Sequence, residues 1–541
     1  MSTSSPCPTN GRLAIVGGGS SGLITLKNAI ERLPGWHVDC FEASDSIVGC
    51  WGNPYRGFVS TSTKYTTQFA CFQLYDAGVE PDESKNYREF FCEDEFGKYL
   101  TQFANHYKLH DRIRLNTPIE RIQRCESGQG WLLTHAGGTE RFDQLVVCTG
   151  LAAVPQDIAC QRPLLKTKVP RTGDPLAEIR GQRVVVIGGG ESAVDFADRL
   201  ACAERTNQVY LSLKSGIRVS PRYHPVRGVP SDFLRNRLML SIHPDVRNWI
   251  GEGFVRSRIR YQEIFESLFP KRRVPESRCS DEQESNACRQ RRKEWALRLT
   301  KTSKDSLFNM FHNKSDRFLD AVGEQRIKII GPPTDERCDE FYDYSRSESL
   351  NIEPDLVIPA VGYESILSTL FDESMSVEDF YLGCCHINYP DLHLVGFARP
   401  IIGNIPSISE IQAEYVCGLV AGDYPREPEI TAKHQRDKVQ RAKRYPRLNQ
   451  KNVYPVEMFP YCDALATRMD RMPAIHRSGG ILAWMRCQLT PATTIDYQRR
   501  DRQLCKPQIY MPWLLIFLLW MLLPFSCGYS WLAKVRNHST Y

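Results

Sequence analysis

The chain has 541 residues, of which 42% are hydrophobic, so it is long enough for several domains with buried cores. Its net charge of +6 is modest for this length, and its basic residues form scattered clusters without a nucleic-acid-binding motif, which argues against a nucleic-acid partner. The 19 cysteines include no CxxC pair and no zinc-finger spacing, so we expect reduced cysteines in buried cores and no metal site.

A strand, a glycine turn and the start of a helix are predicted for Arg12–Gly22, RLAIVGGGSSG. In such a turn Gly17 permits the tight bend, Gly19 lets the backbone approach a pyrophosphate, and Gly22 lets the helix pack on the strand. Ser21 lies at the helix start, where amide groups face the phosphates. A glycine-rich turn that binds no ligand is the alternative for one such motif.

A second turn of the same kind is predicted for Arg183–Ala193, RVVVIGGGESA. It retains Gly188 and Gly190, includes Ser192 and ends in Ala193, a replacement that the glycine fingerprint permits. Two such turns in one chain predict two bound dinucleotides.

The residues after the next strand of each motif distinguish the two dinucleotides. Glu42 follows the predicted strand His37–Phe41, and a carboxylate there accepts hydrogen bonds from adenosine ribose hydroxyls. Lys214 and Arg218 follow the predicted strand Val209–Leu213, and cations there favour a 2′-phosphate, although a solvated basic loop is the alternative. The sequence therefore predicts FAD at the first turn and NADPH at the second.

The segment Glu42–Trp51, EASDSIVGCW, resembles a motif of the flavin-containing monooxygenases, written E-x-S-x-x-I-G-G-x-W. Gly49 and Trp51 match it, while Val48 replaces one glycine. The resemblance implies that Gly49 and Trp51 belong to the FAD site.

The next segment, Phe58–Phe72, resembles the part of the family that leads towards the flavin ring. Thr61 stands where the family has an asparagine that is thought to hold NADP and the flavin hydroperoxide. A threonine hydroxyl lacks the paired donor and acceptor of an amide. A threonine-rich edge strand is the alternative interpretation.

Two further features concern the passage between the dinucleotide domains. The predicted strand Phe142–Gly150 resembles the crossing strand of two-dinucleotide flavoproteins, which implies that Gly150 lies at the cofactor site. Of the family motif F-x-G-x-x-x-H only Gly173 remains, because Arg171 and Ala177 occupy the other two positions. In the family this motif couples NADP placement to the stability of the peroxyflavin, so an oxidase remains possible.

A second resemblance lies in Leu392–Tyr415, LHLVGFARPIIGNIPSISEIQAEY, which is similar to the block that closes the family's flavin domain. The matching residues are Gly396, Pro400, Pro406, Glu410, Gln412 and Ala413. A helix is predicted after Pro406 with Ser407 as its cap, and its N-terminus would face the flavin pyrimidine. Asn404 precedes this helix and is assigned with Ser407 to the cofactor site, although an ordinary capped helix would show the same local pattern. No catalytic residue is assigned, and Thr61 and Asn404 are the candidates.

Helices are predicted for Leu23–Arg32 and for Tyr87–Leu109, and a strand is predicted for Ile113–Ile122. The segment Leu234–Lys301 is highly charged and reads as a largely helical, solvated insertion.

The C-terminal region Met511–Ala533 contains the apolar run WLLIFLLWMLL and reads as a spanning or monotopic membrane anchor, with a buried core helix as the alternative. The N-terminus, MSTSSPCPTNGR, has no signal segment. A basic excess before the run places the body on the cytosolic side, and in a eukaryote the expected location is the endoplasmic reticulum. The residues concerned are Arg499, Arg500, Arg502 and Lys506 before the run and Lys534 and Arg536 after it.

The implied fold is α/β, with two Rossmann-like three-layer dinucleotide-binding domains and a C-terminal hydrophobic tail. The NADPH domain (166–365, with an insertion at about 224–350) interrupts the FAD domain (1–165 and 366–425), and a connector (426–510) leads to the anchor (511–533).

The implied function is an FAD- and NADPH-dependent monooxygenase that transfers one oxygen atom from O2 to a nitrogen, sulfur or carbon atom of a small molecule through a flavin C4a-hydroperoxide. A flavin oxidase or reductase on the same scaffold and a non-catalytic membrane-tethered flavoprotein are the alternatives. The sequence does not identify the substrate or the oligomeric state.

Overall fold

The computed structural model describes residues 10–52, 57–78, 87–152, 154–165, 174, 176–224, 228–264, 285–473, 480–497 and 508–538. The chain divides into two compact units. The first lies within Met1–Gly78, Glu89–Val154 and Tyr363–Ile509, and the second lies within Val79–Arg88, Pro155–Gly362 and Tyr510–Tyr541. The main segment of the second unit, Pro155–Gly362, is therefore inserted in the sequence of the first, and its last segment follows the first unit.

The described strands are, in chain order, β1 (Arg12–Val16), β2 (His37–Phe41), β3 (Val59–Thr63), β4 (Phe90–Cys92), β5 (Ile113–Arg114), β6 (Arg121–Arg124), β7 (Trp131–His135), β8 (Gly138–Phe142), β9 (Gln144–Val147), β10 (Val154–Pro155), β11 (Arg183–Ile187), β12 (Gln208–Ser212), β13 (Val219–Ser220), β14 (Asn313–Lys314), β15 (Ile327–Pro333), β16 (Glu340–Asp343), β17 (Ser349–Asn351), β18 (Leu356–Pro359), β19 (Tyr363–Glu364), β20 (Phe380–Tyr381), β21 (Cys385–His386), β22 (Leu392–Leu394), β23 (Ala398–Pro400) and β24 (Tyr454–Val456).

The described α-helices are α1 (Ser20–Arg32), α2 (Lys64–Thr67), α3 (Glu95–His106), α4 (Glu191–Leu200), α5 (Arg237–Ser241), α6 (Pro244–Arg260), α7 (Asn286–Thr302), α8 (Phe318–Gly323), α9 (Leu367–Leu370), α10 (Ile405–Val420), α11 (Ile430–Arg444), α12 (Met458–Arg468), α13 (Gly480–Leu489) and α14 (Trp513–His538).

The first unit is built on a seven-stranded sheet with the order β20-β21-β22-β9-β1-β2-β5. Strands β22, β9, β1, β2 and β5 run parallel, and β20 and β21 form an antiparallel edge. The central strand β1 is almost wholly buried, as is usual for a parallel strand that is covered on both faces. A separate three-stranded antiparallel sheet, β6-β7-β8, belongs to the same unit.

The second unit repeats this plan with a six-stranded sheet of order β17-β16-β15-β12-β11-β18. Strands β15, β12, β11 and β18 are parallel, and β16 and β17 form an antiparallel edge. Helices α4 and α8 pack on this sheet through a cluster of buried aliphatic residues that includes Val186, Val194 and Phe318. The prediction of an α/β fold with an inserted dinucleotide-binding domain is confirmed by this architecture.

Helix α10 is the buried helix of the first unit. Fourteen of its residues are buried, and it packs against α1, α2 and α12. Helix α12 and strand β24 belong to residues 426–510, which the sequence presents as a connector. That interpretation is corrected here, because Tyr461 of α12 is buried and donates a hydrogen bond to the Leu382 carbonyl at 2.6 Å. The segment is part of the first unit's core.

Two local predictions are also wrong. The segment Tyr87–Leu109 is not one helix, because Phe90–Cys92 forms strand β4 against β3 and the helix begins only at Glu95. Phe90 and Phe91 are nonetheless buried. The aromatic pattern therefore predicted correctly that these side chains are buried, but it did not indicate a helix. The predicted strand Ile113–Ile122 is divided into β5 and β6, which join different sheets.

The charged insertion is helical where the structure describes it, with α5, α6 and α7. The tail forms α14, in which the window Trp513–Ser530 has a mean hydropathy of 1.7 and is 17% buried. This helix is long and apolar enough to span a bilayer. The basic residues Arg499, Arg500, Arg502 and Lys506 lie outside the described residues.

Candidate cofactor sites

The first glycine turn is packed so closely that side chains are excluded from it. Gly17 has φ +109°, and a Cβ atom there would lie 2.7 Å from the Cys148 carbonyl oxygen. A Cβ atom on Gly22 would lie 1.7 Å from the Gly17 carbonyl oxygen. Helix α1 therefore begins directly against the turn, with its first amide groups at the carboxyl end of β1.

This turn lies where the connections of the sheet change direction. Strand β1 pairs with β2 on one side and with β9 on the other, all three in parallel. In open α/β sheets, ligands bind outside the carboxyl ends of the strands at such a switch point. Gly150 follows β9 at this edge with φ +78°, and no heavy atom lies within 4 Å of the position that its Cβ would take.

Glu42 lies immediately after β2 and is buried beside the turn. Its carboxylate accepts hydrogen bonds from the Gly18 N–H at 2.7 Å and the Ser44 N–H at 2.8 Å. These bonds hold the carboxylate against the glycine turn, where the ribose of a dinucleotide lies in this fold.

The segment of the Gly49–Trp51 motif approaches the same turn from a second side. Gly49 has φ +57°, and its Cβ would lie 3.1 Å from the Gly19 Cα. Trp51 packs edge-on against Phe96 of α3, with ring centroids 4.9 Å apart. The two glycines thus face each other with no side chain between them.

Ser21 connects the turn with the closing block of the unit. Its hydroxyl lies 2.9 Å from the Ser409 hydroxyl of α10. A Cβ on Gly396 would lie 2.2 Å from the Ser21 Oγ, so only glycine fits opposite this serine. The two segments that resemble the same family from opposite ends of the chain are therefore in contact.

Helix α10 begins three residues earlier than predicted, because its cap is Asn404 and not Ser407. The Asn404 Oδ1 accepts from the Ser407 N–H at 3.0 Å and from the Ser407 hydroxyl at 2.8 Å. Pro406 lies in the first turn, where its missing N–H costs no intrahelical bond. The cap satisfies the Ser407 N–H, which is one of the first helical amides and therefore has no acceptor within the helix.

The same asparagine also holds the threonine-rich segment. Its Nδ2 donates to the Thr66 carbonyl at 2.7 Å. Glu410, one turn further along α10, accepts from the backbone N–H groups of Ala70 at 2.6 Å and Cys71 at 2.8 Å. Burial raises the pKa of Glu410, while these two backbone hydrogen bonds oppose the rise. Helix α10 therefore fixes the chain from Thr66 to Cys71.

Thr61 belongs to β3, which pairs with β4 and leads directly into the segment that α10 fixes. It is half-buried. The sequence did not show that Glu410 and Asn404 anchor this segment, because their partners are backbone groups more than 300 residues away. Their place in the matched motif was the signal that could have suggested it.

The second glycine turn has the same relation to its own sheet. Gly188 has φ +140°, and a Cβ there would lie 2.2 Å from the Ala360 carbonyl oxygen after β18. Strand β11 lies between β12 and β18, so this turn is also at a switch point. Gly190 has open space around its Cβ position, Ser192 is half-buried and Ala193 is fully buried.

The two predicted phosphate cations lie in different environments. The Lys214 side chain is exposed shortly after β12, and Arg346 donates to the Lys214 carbonyl oxygen at 2.7 Å. The Arg218 side chain is 5% exposed and pairs with Glu252 at 2.9 Å. The structure therefore does not bring Arg218 to the surface with Lys214, whereas Arg346 is a neighbouring cation that the sequence did not reveal.

Of the residues in the shortened motif, Arg171 and Gly173 lie outside the described residues. The Ala177 N–H donates to the Asp174 carbonyl at 3.0 Å in a turn.

Both turns fit a dinucleotide, because each is a tight glycine turn at the N-terminus of a helix, where amide groups without an intrahelical partner suit a phosphate. The family described as "Flavin-binding monooxygenase-like" matches residues 10–276, which include both turns. Residues 10–276 of the chain are therefore flavin-monooxygenase-like.

The relatives of this monooxygenase cover most of its length. "Flavin-containing monooxygenase 5" of Mus musculus is 25% identical over 525 residues, covering 90% of this chain and 88% of the relative. The fold is similar to the S-allyl-L-cysteine S-oxygenase of Allium sativum (TM-score 0.51, 15% identity, 85% and 89% coverage). It is also similar to an oxidized steroid monooxygenase (TM-score 0.56, 16% identity, 85% and 97% coverage).

The monooxygenase is thus a flavin-dependent oxidoreductase with FAD and NADPH as its cofactors. The predictions of family, enzyme class and cofactors are confirmed.

Proposed function

We propose that this enzyme transfers one oxygen atom from O2 to a soft nitrogen, sulfur or carbon atom of a small molecule, with NADPH as the electron donor. The observation that supports this proposal is the pair of glycine turns. Each turn lies at a switch point of its own sheet, and backbone atoms exclude a side chain at Gly17 and Gly22 in the first and at Gly188 in the second. Each unit therefore has one place that suits a pyrophosphate, and the two places carry different neighbouring charges.

The first unit is proposed to hold FAD. Gly17 and Gly22 permit the tight turn and the close start of α1, Gly19 lets the pyrophosphate approach the backbone, and the Glu42 carboxylate suits the ribose hydroxyls. The other proposed contacts come from the adjoining segments and comprise Ser21, Gly49, Trp51, Thr61, Gly150, Asn404 and Ser407. Helix α10 begins at the Asn404 cap. The N-terminus of a helix stabilises negative charge on a group that lies in front of it.

The second unit is proposed to hold NADPH. Gly188, Gly190 and Ser192 form the pyrophosphate turn, and the exposed Lys214 suits the 2′-phosphate. Arg346 is added to this site because its guanidinium contacts the Lys214 backbone. Arg218 is not retained there, because it is buried against Glu252.

The flavin supplies the oxygen chemistry when it is bound, through the C4a-hydroperoxide that the family resemblance implies. The polypeptide's part is to bind, to orient and to exclude water. Helix α10 contributes to orientation through Asn404 and Glu410. These two residues fix the backbone from Thr66 to Cys71, which follows β3 in the sequence. Similarity to an S-oxygenase and to a steroid monooxygenase supports a small organic substrate without choosing between heteroatom and carbon oxygenation.

The test is a single-turnover experiment on the FAD-loaded full-length protein. NADPH is added without oxygen, oxygen is then mixed in by stopped flow, and the flavin spectrum is followed while product and H2O2 are measured. A C4a-adduct band that persists and decays faster with substrate is expected. Prompt H2O2 release without an adduct would instead assign the protein as an oxidase, which Thr61 in place of asparagine makes the second candidate.

Thr61 itself can be tested in the same experiment. Thr61→Val keeps the branched shape and removes the hydroxyl. If Thr61 lies at the reacting end of the flavin, this variant yields more H2O2 per NADPH than the wild type. Thr101→Val, at an exposed position on α3, is the matched control and leaves this ratio unchanged. An unchanged ratio in Thr61→Val removes Thr61 from the site.

We further propose that α14 is a membrane anchor and that the catalytic body lies on the cytosolic side, at the endoplasmic reticulum in a eukaryote. Large apolar side chains of α14 are exposed, among them Trp513, Leu514, Phe517 and Phe525. Ser526 on the same helix accepts a hydrogen bond from the His243 N–H at 2.6 Å, so one side of α14 is held by its own unit.

Truncation before Met511 is expected to release the protein from membranes in a sedimentation assay. Because Met511 is buried, the variant Leu514→Ser/Phe517→Ser/Phe525→Ser, which changes only exposed positions, provides the second measurement. Persistent sedimentation of both proteins with membranes would place the anchor elsewhere.

A further inference from the structure

A cavity of about 220 Å³ lies inside the second unit, within the charged helical insertion. It is lined by the segment from Ile217 to Pro221, by α6, by α7 and by residues between Leu307 and Asp320, and it is partly open. Its apolar wall is formed by Ile217, Val219, Val255, Ile259, Leu299 and Leu319. No step of the proposed oxygenation uses this space.

One side chain of this cavity has hydrogen-bonding capacity that the protein does not satisfy. Arg218 is 5% exposed, and its Nη2 donates to Glu252 at 2.9 Å and to the Asp305 carbonyl at 3.2 Å. Its Nε and Nη1 are buried and have no hydrogen-bond partner among the residues that the structure describes. Buried donors without partners are costly, so these two indicate a partner outside the described part of the chain, such as a bound ligand.

The other charged groups of the cavity leave an excess of positive charge. The lining contains Arg258, Arg292 and Lys293 besides Arg218, but only two carboxylates. Both carboxylates are engaged, Asp316 with Arg222 at 3.1 Å and Asp320 with Arg292 at 2.6 Å. Among the described residues no ion pair involves Arg258 or Lys293, and burial alone lowers the pKa of Arg258.

We propose that this cavity binds a small organic carboxylate with an apolar tail. The carboxylate would accept the free donors of Arg218, with Arg258 and Lys293 supplying further positive charge, and the tail would lie against the aliphatic wall. The planar guanidinium matches a carboxylate in geometry and in charge. An apolar pocket with a few polar groups at one end is the usual form of a small-molecule site.

The volume limits the size of the ligand. One water molecule takes a share of about 30 Å³ in the liquid, so the cavity holds on the order of seven water-sized groups. About seven such groups correspond to the seven-carbon tail of a straight-chain eight-carbon acid, whose carboxylate would lie at the Arg218 donors. Octanoate is therefore the probe for a first experiment, and octanol is its neutral counterpart.

The experiment is isothermal titration calorimetry on the FAD-loaded full-length protein, a measurement that is independent of oxygenase activity. Octanoate is expected to bind with one site per chain and at least tenfold more tightly than octanol. Arg218→Met, which keeps the length of the side chain and removes its donors, is expected to weaken octanoate binding at least tenfold and to leave octanol unaffected.

Two further variants separate the site from general effects. Lys293→Gln removes a cavity charge from α7 and is expected to weaken octanoate binding, whereas Lys301→Gln removes an exposed charge from the same helix and is expected to change nothing. Val255→Trp fills the cavity and is expected to abolish binding of both probes. If Arg218→Met does not fold, Lys293→Gln and Val255→Trp still decide the matter.

The proposal is overturned if octanol binds as tightly as octanoate, or if Val255→Trp binds octanoate like the wild type. The second result would locate the octanoate on another apolar surface, such as the exposed face of α14. Equal losses in Lys293→Gln and Lys301→Gln would also overturn it, because they would show attraction by overall charge.

Discussion

Gly22 and the carbonyl oxygen of Gly17 lie so close that a Cβ atom on Gly22 would be 1.7 Å from that oxygen. The equivalent position of the second unit is Ala193, whose Cβ is accommodated in a fully buried site. Helix α1 therefore approaches its glycine turn more closely than α4 does, although the two residues at this position differ by only one methyl group.

This difference predicts unequal effects of reciprocal substitutions. Gly22→Ala forces the backbone of the first turn to move, so we expect loss of bound FAD or failure to fold. Ala193→Gly leaves a small cavity and a more flexible helix, which costs about 1 kcal/mol of unfolding free energy and preserves FAD. Flavin absorbance of the purified proteins and thermal unfolding measure both effects. Retention of full flavin content by Gly22→Ala would contradict the packing described here.

Gly190 tests the second turn without disturbing the fold. No heavy atom of the described residues lies within 4 Å of its Cβ position, so Gly190→Ala introduces no contact with them. If the NADPH pyrophosphate approaches this backbone, the methyl group obstructs it and raises the KM for NADPH, while the unfolding temperature stays near that of the wild type. Gly253→Ala, at another open glycine position of the same unit, is the control. An unchanged KM in Gly190→Ala would show that the nucleotide does not use this turn.

Lys214 and Arg346 are predicted to set the preference for the phosphorylated nucleotide. A hydrogen bond to a charged group contributes about 1.5–3 kcal/mol, so Lys214→Ala should weaken NADPH binding roughly 10- to 100-fold. NADH binding should change little, because NADH has no 2′-phosphate. Arg346→Ala should show the same selectivity with a smaller effect. Dissociation constants for both nucleotides measure this, and equal losses for NADPH and NADH would refute the assignment.

Asn404 has two functions that can be separated by substitution. Asn404→Asp retains an acceptor for the Ser407 N–H and loses the donor to the Thr66 carbonyl, whereas Asn404→Ala loses both. Loss of the cap costs about 1 kcal/mol, so Asn404→Ala should be the less stable variant by about that amount. Both variants should show increased H2O2 release, because the threonine-rich segment is no longer held. Equal stability of the two variants would mean that the cap contributes nothing.

The hydrogen-bonded carboxylate of Glu140 should make the stability of the first unit decrease in acid. Burial alone would raise the pKa of Glu140, but hydrogen bonds from Arg12, Arg114 and His135 lower it to about 2. Because the folded pKa lies below the unfolded value of about 4.3, the ionised group stabilises the fold above that pH and loses its contribution as the pH falls towards 2. The stability difference between the wild type and Glu140→Gln should therefore shrink between pH 5 and pH 3. Urea unfolding midpoints measure it, with the exposed Glu126→Gln as the control.

The sequence by itself determined the parts of this protein that depend on local chemistry. A β-branched run followed by closely spaced glycines specifies a strand, a turn and a helix with little help from distant residues, and both turns were predicted at their observed positions. Glu42 and Lys214 could be assigned because each follows the strand next to its turn, at a fixed distance along the chain. The two-domain α/β fold followed from this repeated pattern.

Only the tertiary structure decided what depends on partners distant in sequence. Phe90 and Phe91 satisfy a helical pattern as well as a strand pattern, and pairing with β3 selected the strand. Arg218 and Lys214 are four residues apart and both cationic, yet Arg218 is buried against Glu252 whereas Lys214 is exposed. Asn404 and Glu410 act on backbone groups more than 300 residues away, and a sequence carries no local signal for a hydrogen bond whose acceptor or donor is a peptide group. The glycine turns therefore depend on residues close together in the sequence, whereas the segments that pack around them depend on contacts between distant residues.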